Sequence, residues 1–271
     1  MSITFSTCWY KTKAKFDIAV YERWIKNFLF VVDKCNIVIY TNDESNDLVS
    51  RLINKKNFTN VKVIKKPFKE FYNYKYLNNW ENNHKKNSQL NKITSWYLNM
   101  LWCEKVHFVK ETMDKKYFDT EYYGWCDIGY FRNRLNDTNV GRLSNWPNSE
   151  RIRNLNKDKI YYACINNNDD YIQQLFRLVM NKNSDGIPIN KIPPNQLSIA
   201  GGFFIGHRDK ITWWRDMFDN KLNLYFKHDE LVKDDQIIIA DCVFSNLKHF
   251  HLCKENSPNL DNWFLFQRYL L

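Results

Sequence analysis

Asp127 closes the stretch EYYGWCD and is followed at once by Ile128-Gly129. A carboxylate delivered by an apolar run is suited to Mg²⁺ or Mn²⁺, because hard cations take oxygen donors and often bind one or two carboxylates plus substrate phosphates. The same Asp would also serve to cap the turn that follows. A second acidic pair, Asp234 and Asp235, opens KDDQIII, where a helix begins. That position suits a general base or an acceptor-positioning carboxylate, and equally the ordinary placement of acids against a helix dipole. KHFHL sets His249 and His251 on one face of a strand. One imidazole could there complete a metal site with Asp127, His251 first and His249 second; satisfied structural histidines are the other reading. SQLNKITSW places Lys92 on the first turns of a helix, beside a phosphate or sugar or simply in solvent. IAGGFFIG carries Gly201 and Gly202 in a strand, where the absence of side chains lets a ligand approach the backbone.

The glycines sharpen this choice of residues. Only 7 occur in 271 residues, well under the usual ~7%. Gly124 and Gly129 flank Asp127, and Gly201, Gly202 and Gly206 share one short segment. A chain this sparing has placed most of its glycine where backbone must bend or pass close to something else.

Positioning those residues calls for alternating strands and helices. β-Branched and aromatic runs predict strands over 2–8, 36–41, 60–65, 122–127, 159–164, 199–206 and 248–253. Apolar residues at i, i+3, i+4 spacing predict helices over 18–32 and 88–113, with others over 168–181, 209–226 and 234–246. The alternation implies an α/β fold with a mixed, mainly parallel sheet flanked by helices. The segment 183–198, with three of the six prolines, reads as a long loop inside a single domain spanning 1–271. Ligands of open α/β sheets sit beyond the carboxyl ends of the strands. Three such ends meet that rule: Asp127, the run Thr7 to Tyr10, and the run Thr41 to Asp43. Thr7, Tyr10 and Asp43 are therefore expected in a donor pocket, Asp43 against a base or ribose.

Composition removes several classes of function. Hydrophobic residues make up 44% and aromatics 17% of the chain, enough for a sizeable core, which excludes disorder for most of its length. Net charge is +10. That fits either a solvated lysine surface or a polyanionic partner such as nucleic acid, anionic lipid or a diphosphate. The lysines come as scattered pairs with no block of five or six, so no nucleic-acid partner is expected. No G-x-x-x-x-G-K-[ST] loop is present, which counts against a nucleotidyl or phosphoryl transferase. The seven cysteines are odd in number and lack C-x-x-C spacing, which argues against a zinc knuckle or disulfide framework and for free thiols in a reducing, cytoplasmic compartment, the host's if the chain is viral. No apolar run is long enough for a signal peptide or transmembrane segment.

Read in order, NSQLNKITSW, YYGWCDIGYFR, IAGGFFIGHRDKITWW and KDDQIIIADCVFSN resemble the blocks of the HtrL/YibB-like glycosyltransferase family. The resemblance spans roughly residues 1–250 and implies a GT-A-like fold, with a nucleotide-binding half over about 1–130 and an acceptor half over about 131–271. It implies sugar transfer from a nucleotide-sugar donor, a UDP-sugar as first choice, to a glycan, lipid or protein acceptor, assisted by Mn²⁺ or Mg²⁺. Enzymes of that fold commonly carry D-x-D at the strand end. Here the triplet is Trp125-Cys126-Asp127, so only the second carboxylate is present.

Overall fold

A computed structural model describes residues 1–12, 16–54, 58–257 and 259–271. Its centre is a seven-stranded sheet of β1 (Ile3–Cys8), β2 (Asn36–Thr41), β3 (Val61–Lys65), β4 (Tyr122–Cys126), β5 (Ile160–Ala163), β6 (Phe203–His207) and β7 (Phe250–Cys253). The spatial order is β3-β2-β1-β4-β6-β5-β7. β6 runs antiparallel to both β4 and β5, while the other pairings are parallel. The expected mixed, mainly parallel sheet is what forms.

Strands β1, β4, β5 and β6 are buried almost throughout, because helices cover both faces. One face stacks Val38, Tyr40, Tyr123, Trp125, Tyr162 and Phe204 against α3 (Leu77–Lys86), α4 (Trp96–Asp114), α6 (Asp169–Met180), α7 (Arg208–Lys227) and α8 (Asp235–Ser245). The other buries Ile3, Phe5, Ile37, Ile39 and Phe203 against α1 (Ile18–Val31), α2 (Asp43–Ile53), α5 (Ser149–Arg153) and α9 (Phe266–Tyr269). Among the described residues no helix is long and apolar enough to cross a membrane.

Chain order reverses at β1, whose two neighbours are β2 and β4. Connections leave that point in opposite directions, so a crevice opens at the carboxyl ends of β1 and β4, the usual ligand position in such sheets.

Helices α2 and α3 were not anticipated, and two expected elements start late. The helix anticipated over 88–113 begins only at Trp96, and residues 88–94 form turns. Lys92 therefore sits in a turn ahead of the helix. The strand anticipated over 199–206 begins at Phe203, with Gly201-Gly202 forming a turn that leads into it. Both errors have one source: polar or glycine-bearing residues continue an apolar pattern for a few positions beyond the hydrogen-bonded ladder.

Candidate active site

A cavity of about 540 Å³ lies at the reversal point. Its floor is Asp127, just past β4, with the Gly201-Gly202 turn beside it and the Asp234-Asp235 start of α8 opposite. One wall is the face of α4 that carries Leu98, Leu101, Trp102 and Lys105. The other is aromatic and comes from the segment after β1 and from α1: Trp9, Tyr10, Phe16, Tyr21 and Trp24.

Side chains two apart on a strand share a face, and Trp125 uses this to hold Asp127. Its indole Nε1 donates to Asp127 Oδ1 at 2.6 Å. The Asp127 backbone N–H donates to Gly202 O at 2.9 Å, which pins the glycine turn against the strand end. A Cβ on Gly202 would stand 3.0 Å from Asp127 Oδ2, and one on Gly201 would stand 2.8 Å from Asp235 Oδ2. The twin glycines are thus the gap into which both carboxylates fit. The glycines around Asp127 serve close approach rather than bending, since neither has a positive φ. A Cβ on Gly124 would meet Phe204 O at 2.3 Å, and one on Gly129 the Trp24 ring at 2.9 Å.

Lys105 joins the two acids. Its ammonium lies 3.3 Å from Asp127 Oδ1 and 3.1 Å from Asp235 Oδ2, and donates to Gly201 O at 2.9 Å. Burial works against its charge, but Asp127 and Asp235 outweigh that and hold its pKa above the ordinary value. Asp235 responds in the opposite way. Burial pushes its pKa up to about 7, Lys105 only partly offsetting it and Asp234 adding repulsion. Its Oδ2 is buried and receives no well-aligned hydrogen bond. A carboxyl poised near neutrality can take up and release a proton under working conditions. The helix start at which it stands does not hold it down, because desolvation is the larger effect. Asp234 is the N-cap of α8, accepting from Gln236 N at 3.2 Å, and pairs with Lys233 at 3.0 Å.

The segment that delivers these acids is tied down by asparagines. Asn83 exchanges two hydrogen bonds with Val232, and Asn99 donates to the Val232 and Lys233 carbonyls. The neighbour of Lys105, Glu104, is also a raised carboxyl, pushed up to about 8 by burial. It faces away from the cavity, accepting the backbone N–H groups of Tyr72 and Asn73.

Of the residues singled out from sequence, Asp127, Asp234, Asp235, Gly201, Gly202 and Tyr10 come together around this cavity. The others do not. Thr7 is buried within β1 and lies outside the cavity wall. Asp43 is exposed at the start of α2, paired with Lys65 at 2.7 Å. Lys92 is exposed and also outside the wall. His251, on the edge strand β7, lies tilted against Tyr161 at 4.9 Å, and His249 lies against Trp213 at 4.6 Å. β7 is three strand positions from β4, roughly 14 Å at the usual ~4.8 Å spacing, so neither imidazole can share a cation with Asp127. Lys105 and Arg132, which also line the cavity, were not singled out from sequence. Lys105 had a visible signal: it continues the Leu98, Leu101, Trp102 stripe at i, i+3, i+4, i+7, a charge on an apolar face.

The divalent cation implied by the family resemblance can be tested on the donors present. Among the described residues no three His, Cys, Asp or Glu side chains gather where they could hold a metal. The other seven residues, Lys13, Ala14, Lys15, Lys55, Lys56, Asn57 and Pro258, contribute no such group. The oxygens of Asp127, Asp235 and Gly201 that face one another already surround an ammonium, which repels a second cation on the same carboxylates. The donor set does not fit a resident divalent metal.

No protein-family model matches the chain, and no curated protein matches its sequence. Solved structures match its fold. It is similar to mouse xyloside xylosyltransferase 1 in its apo form, with a TM-score of 0.53 at 13% identity over 93% of this chain and 85% of that one. It also matches the galactosyltransferase LgtC in complex with donor and acceptor sugar analogues (TM-score 0.46, 10% identity, 95% of this chain and 74% of that one). A third match is 4-diphosphocytidyl-2C-methyl-D-erythritol synthase from Anaerococcus prevotii (TM-score 0.43, 10% identity, 99% and 98%). At these identities the likeness is one of architecture, and the architecture is GT-A-like.

Proposed function

We propose that the chain is a glycosyltransferase, of the kind its resemblance to the HtrL/YibB-like family implies, moving a sugar from a nucleotide-diphosphate sugar to an acceptor hydroxyl. The observation that carries this reading is the line Asp127–Lys105–Asp235 at the reversal point of a GT-A-like sheet, beside a cavity of about 540 Å³. The name of the solved xylosyltransferase with this fold points to the same reaction class.

In the proposed reaction the bond from the anomeric carbon to the diphosphate oxygen breaks, and its electron pair leaves on the diphosphate. The acceptor oxygen forms the new bond to that carbon. If configuration inverts, its proton passes to Asp235, whose pKa near 7 suits a general base. If configuration is retained, Asp235 orients the acceptor instead, and the acceptor proton passes to the departing diphosphate oxygen. Asp234 fixes the helix start, and Asp127 holds the Lys105 ammonium toward the cavity. The Gly201-Gly202 turn leaves room for the sugar, and Tyr10 with its aromatic neighbours lines the donor side. In this reading the nucleotide half spans about 1–130 and the acceptor half about 131–271. A UDP-sugar is the first donor to try, and the acceptor is a glycan, lipid or protein.

Thermal-shift titration with UDP-, GDP- and dTDP-sugars, with a CMP-sugar as the single-phosphate control, tests the reading. A donor at 100 times its Kd should stabilise the fold by about 2.7 kcal/mol. No stabilisation by any diphosphate sugar at millimolar concentration would remove it.

A further inference from the structure

We infer that, in the sugar transfer proposed above, the negative charge developing on the departing nucleoside diphosphate is neutralised by fixed side-chain cations, Arg132 foremost with Lys105 behind it, rather than by a divalent metal. Most charges around the cavity are matched within the protein. Lys105 stands between Asp127 and Asp235. Arg134 is paired with Asp137 at 3.0 Å and Asp261 at 2.8 Å, and Asp234 with Lys233.

Arg132 differs. Its Nε–H donates to Gly129 O at 3.0 Å, and its terminal N–H groups meet no acceptor among the described residues. The guanidinium lies over Trp24 at 4.4 Å and Phe264 at 5.2 Å, on the cavity wall. Burial and the neighbouring Arg134 lower its pKa, and Asp127 offsets them only in part. A half-buried guanidinium with donors to spare and a second cation beside it is an unfavourable arrangement unless an anion completes it. A planar fork of N–H donors fits phosphate oxygens in pairs, and the aromatic rings hold the plane in place.

The charge balance of the transfer is consistent with this. When the bond to the anomeric carbon breaks, the diphosphate gains one negative charge. Arg132 can meet it with hydrogen bonds, and Lys105, held between Asp127 and Asp235 on the cavity wall, adds field without releasing its proton. Such preorganised donors act where charge develops and require no ion to arrive with the substrate.

The test is calorimetric titration of the full chain with UDP, GDP, dTDP, CDP and inorganic pyrophosphate, in EDTA and then in Mn²⁺, for the wild type, Arg132→Gln and Arg132→Lys. The expected result is that at least one nucleoside diphosphate binds equally well with EDTA or Mn²⁺. Arg132→Gln should then weaken that binding about tenfold or more, with Arg132→Lys in between. If Arg132→Gln does not fold, Arg132→Lys, which keeps the charge and loses the fork, carries the comparison alone. Binding that requires Mn²⁺ and is equal in wild type and Arg132 variants would overturn the inference and leave the transferase reading standing. No binding of any diphosphate in either condition would remove both.

Discussion

Among its described residues the protein holds two buried clusters of aspartate and lysine, built with opposite stoichiometry. At the cavity one lysine, Lys105, serves two acids, Asp127 and Asp235. Between α7, α8 and the segment after α6, one acid, Asp241, serves two lysines, Lys182 at 2.6 Å and Lys221 at 3.2 Å. Asp241 is sealed, and it also accepts from the Tyr225 hydroxyl and the Ser245 hydroxyl, each at 2.9 Å. Every oxygen of that carboxylate is occupied. Asp235 is nearly as buried, yet one of its oxygens has no aligned donor, and its pKa is raised. The sealed cluster looks like structure satisfying itself. The cavity cluster leaves capacity unspent beside an opening, which is how functional sites store perturbed pKa values.

Substitutions should separate the two. Asp241→Asn would leave two lysines facing a neutral group, and breaking a buried pair in this way costs about 3–5 kcal/mol. Denaturant unfolding should show that loss, while transfer per folded molecule stays near wild type. A large loss of turnover at full stability would mean that the second cluster is not purely structural.

Asp235 should show its strain as a pH dependence. Below its ordinary pKa of 3.8 the carboxyl is protonated in both folded and unfolded chains. Between there and about 7 the folded state keeps a proton that the unfolded state has released, so stability falls as pH rises. The full difference corresponds to about 4 kcal/mol, at 1.36 kcal/mol per pH unit. Asp235→Asn lacks this titration. Its stability relative to wild type should therefore improve from pH 4 to about pH 7 and level off above it, which parallel urea titrations at several pH values would measure. A constant difference would show that Asp235 does not titrate in this range.

A smaller effect is expected from Gly201→Ala. The new methyl group would stand 2.8 Å from Asp235 Oδ2, and the carboxylate must shift to admit it. Misplacing a reacting group by about 1 Å can cost ~10²-fold in rate. Steady-state kinetics should show a lower kcat with a modest change in donor affinity; unchanged kcat would place the reacting atoms elsewhere. The smallest expected change is from Asn99→Ala, which removes one of two donors from each of the Val232 and Lys233 carbonyls, Asn83 and Asn87 keeping the other. Denaturant unfolding should show a loss of about 1 kcal/mol, as two hydrogen bonds go while both carbonyls stay paired.

The sequence made one cluster half visible and the other not at all. Asp127, Asp235 and Gly201-Gly202 were legible because glycine is rare here and flanks the strand-end acid, and because an acidic pair marks a helix start. Strand positions were legible for the same kind of reason, since β1 to β5 are short apolar runs with clear ends. Lys105 is one of 40 Lys and Arg residues, and its meaning depends on α4 packing across β4 toward α8. Asp241 gave no signal, since its partners Lys182 and Lys221 lie on separate elements. Asp43, Lys92 and His251 were misplaced because their settings were inferred from neighbours in the chain. The order of strands in space, which sends β7 to the far edge, is set by long-range pairing.

The central claim is sugar transfer at Asp235, and nucleotide release from diphosphate sugars in the presence of candidate acceptors tests it most directly. Wild type, Asp235→Asn and Asp241→Asn should be assayed side by side, each corrected for its folded fraction. The expected result is release by the wild type from at least one donor and similar release by Asp241→Asn. Asp235→Asn should lose about 10²–10⁴-fold, the usual contribution of a general acid or base. Equal rates in Asp235→Asn and wild type would contradict the account.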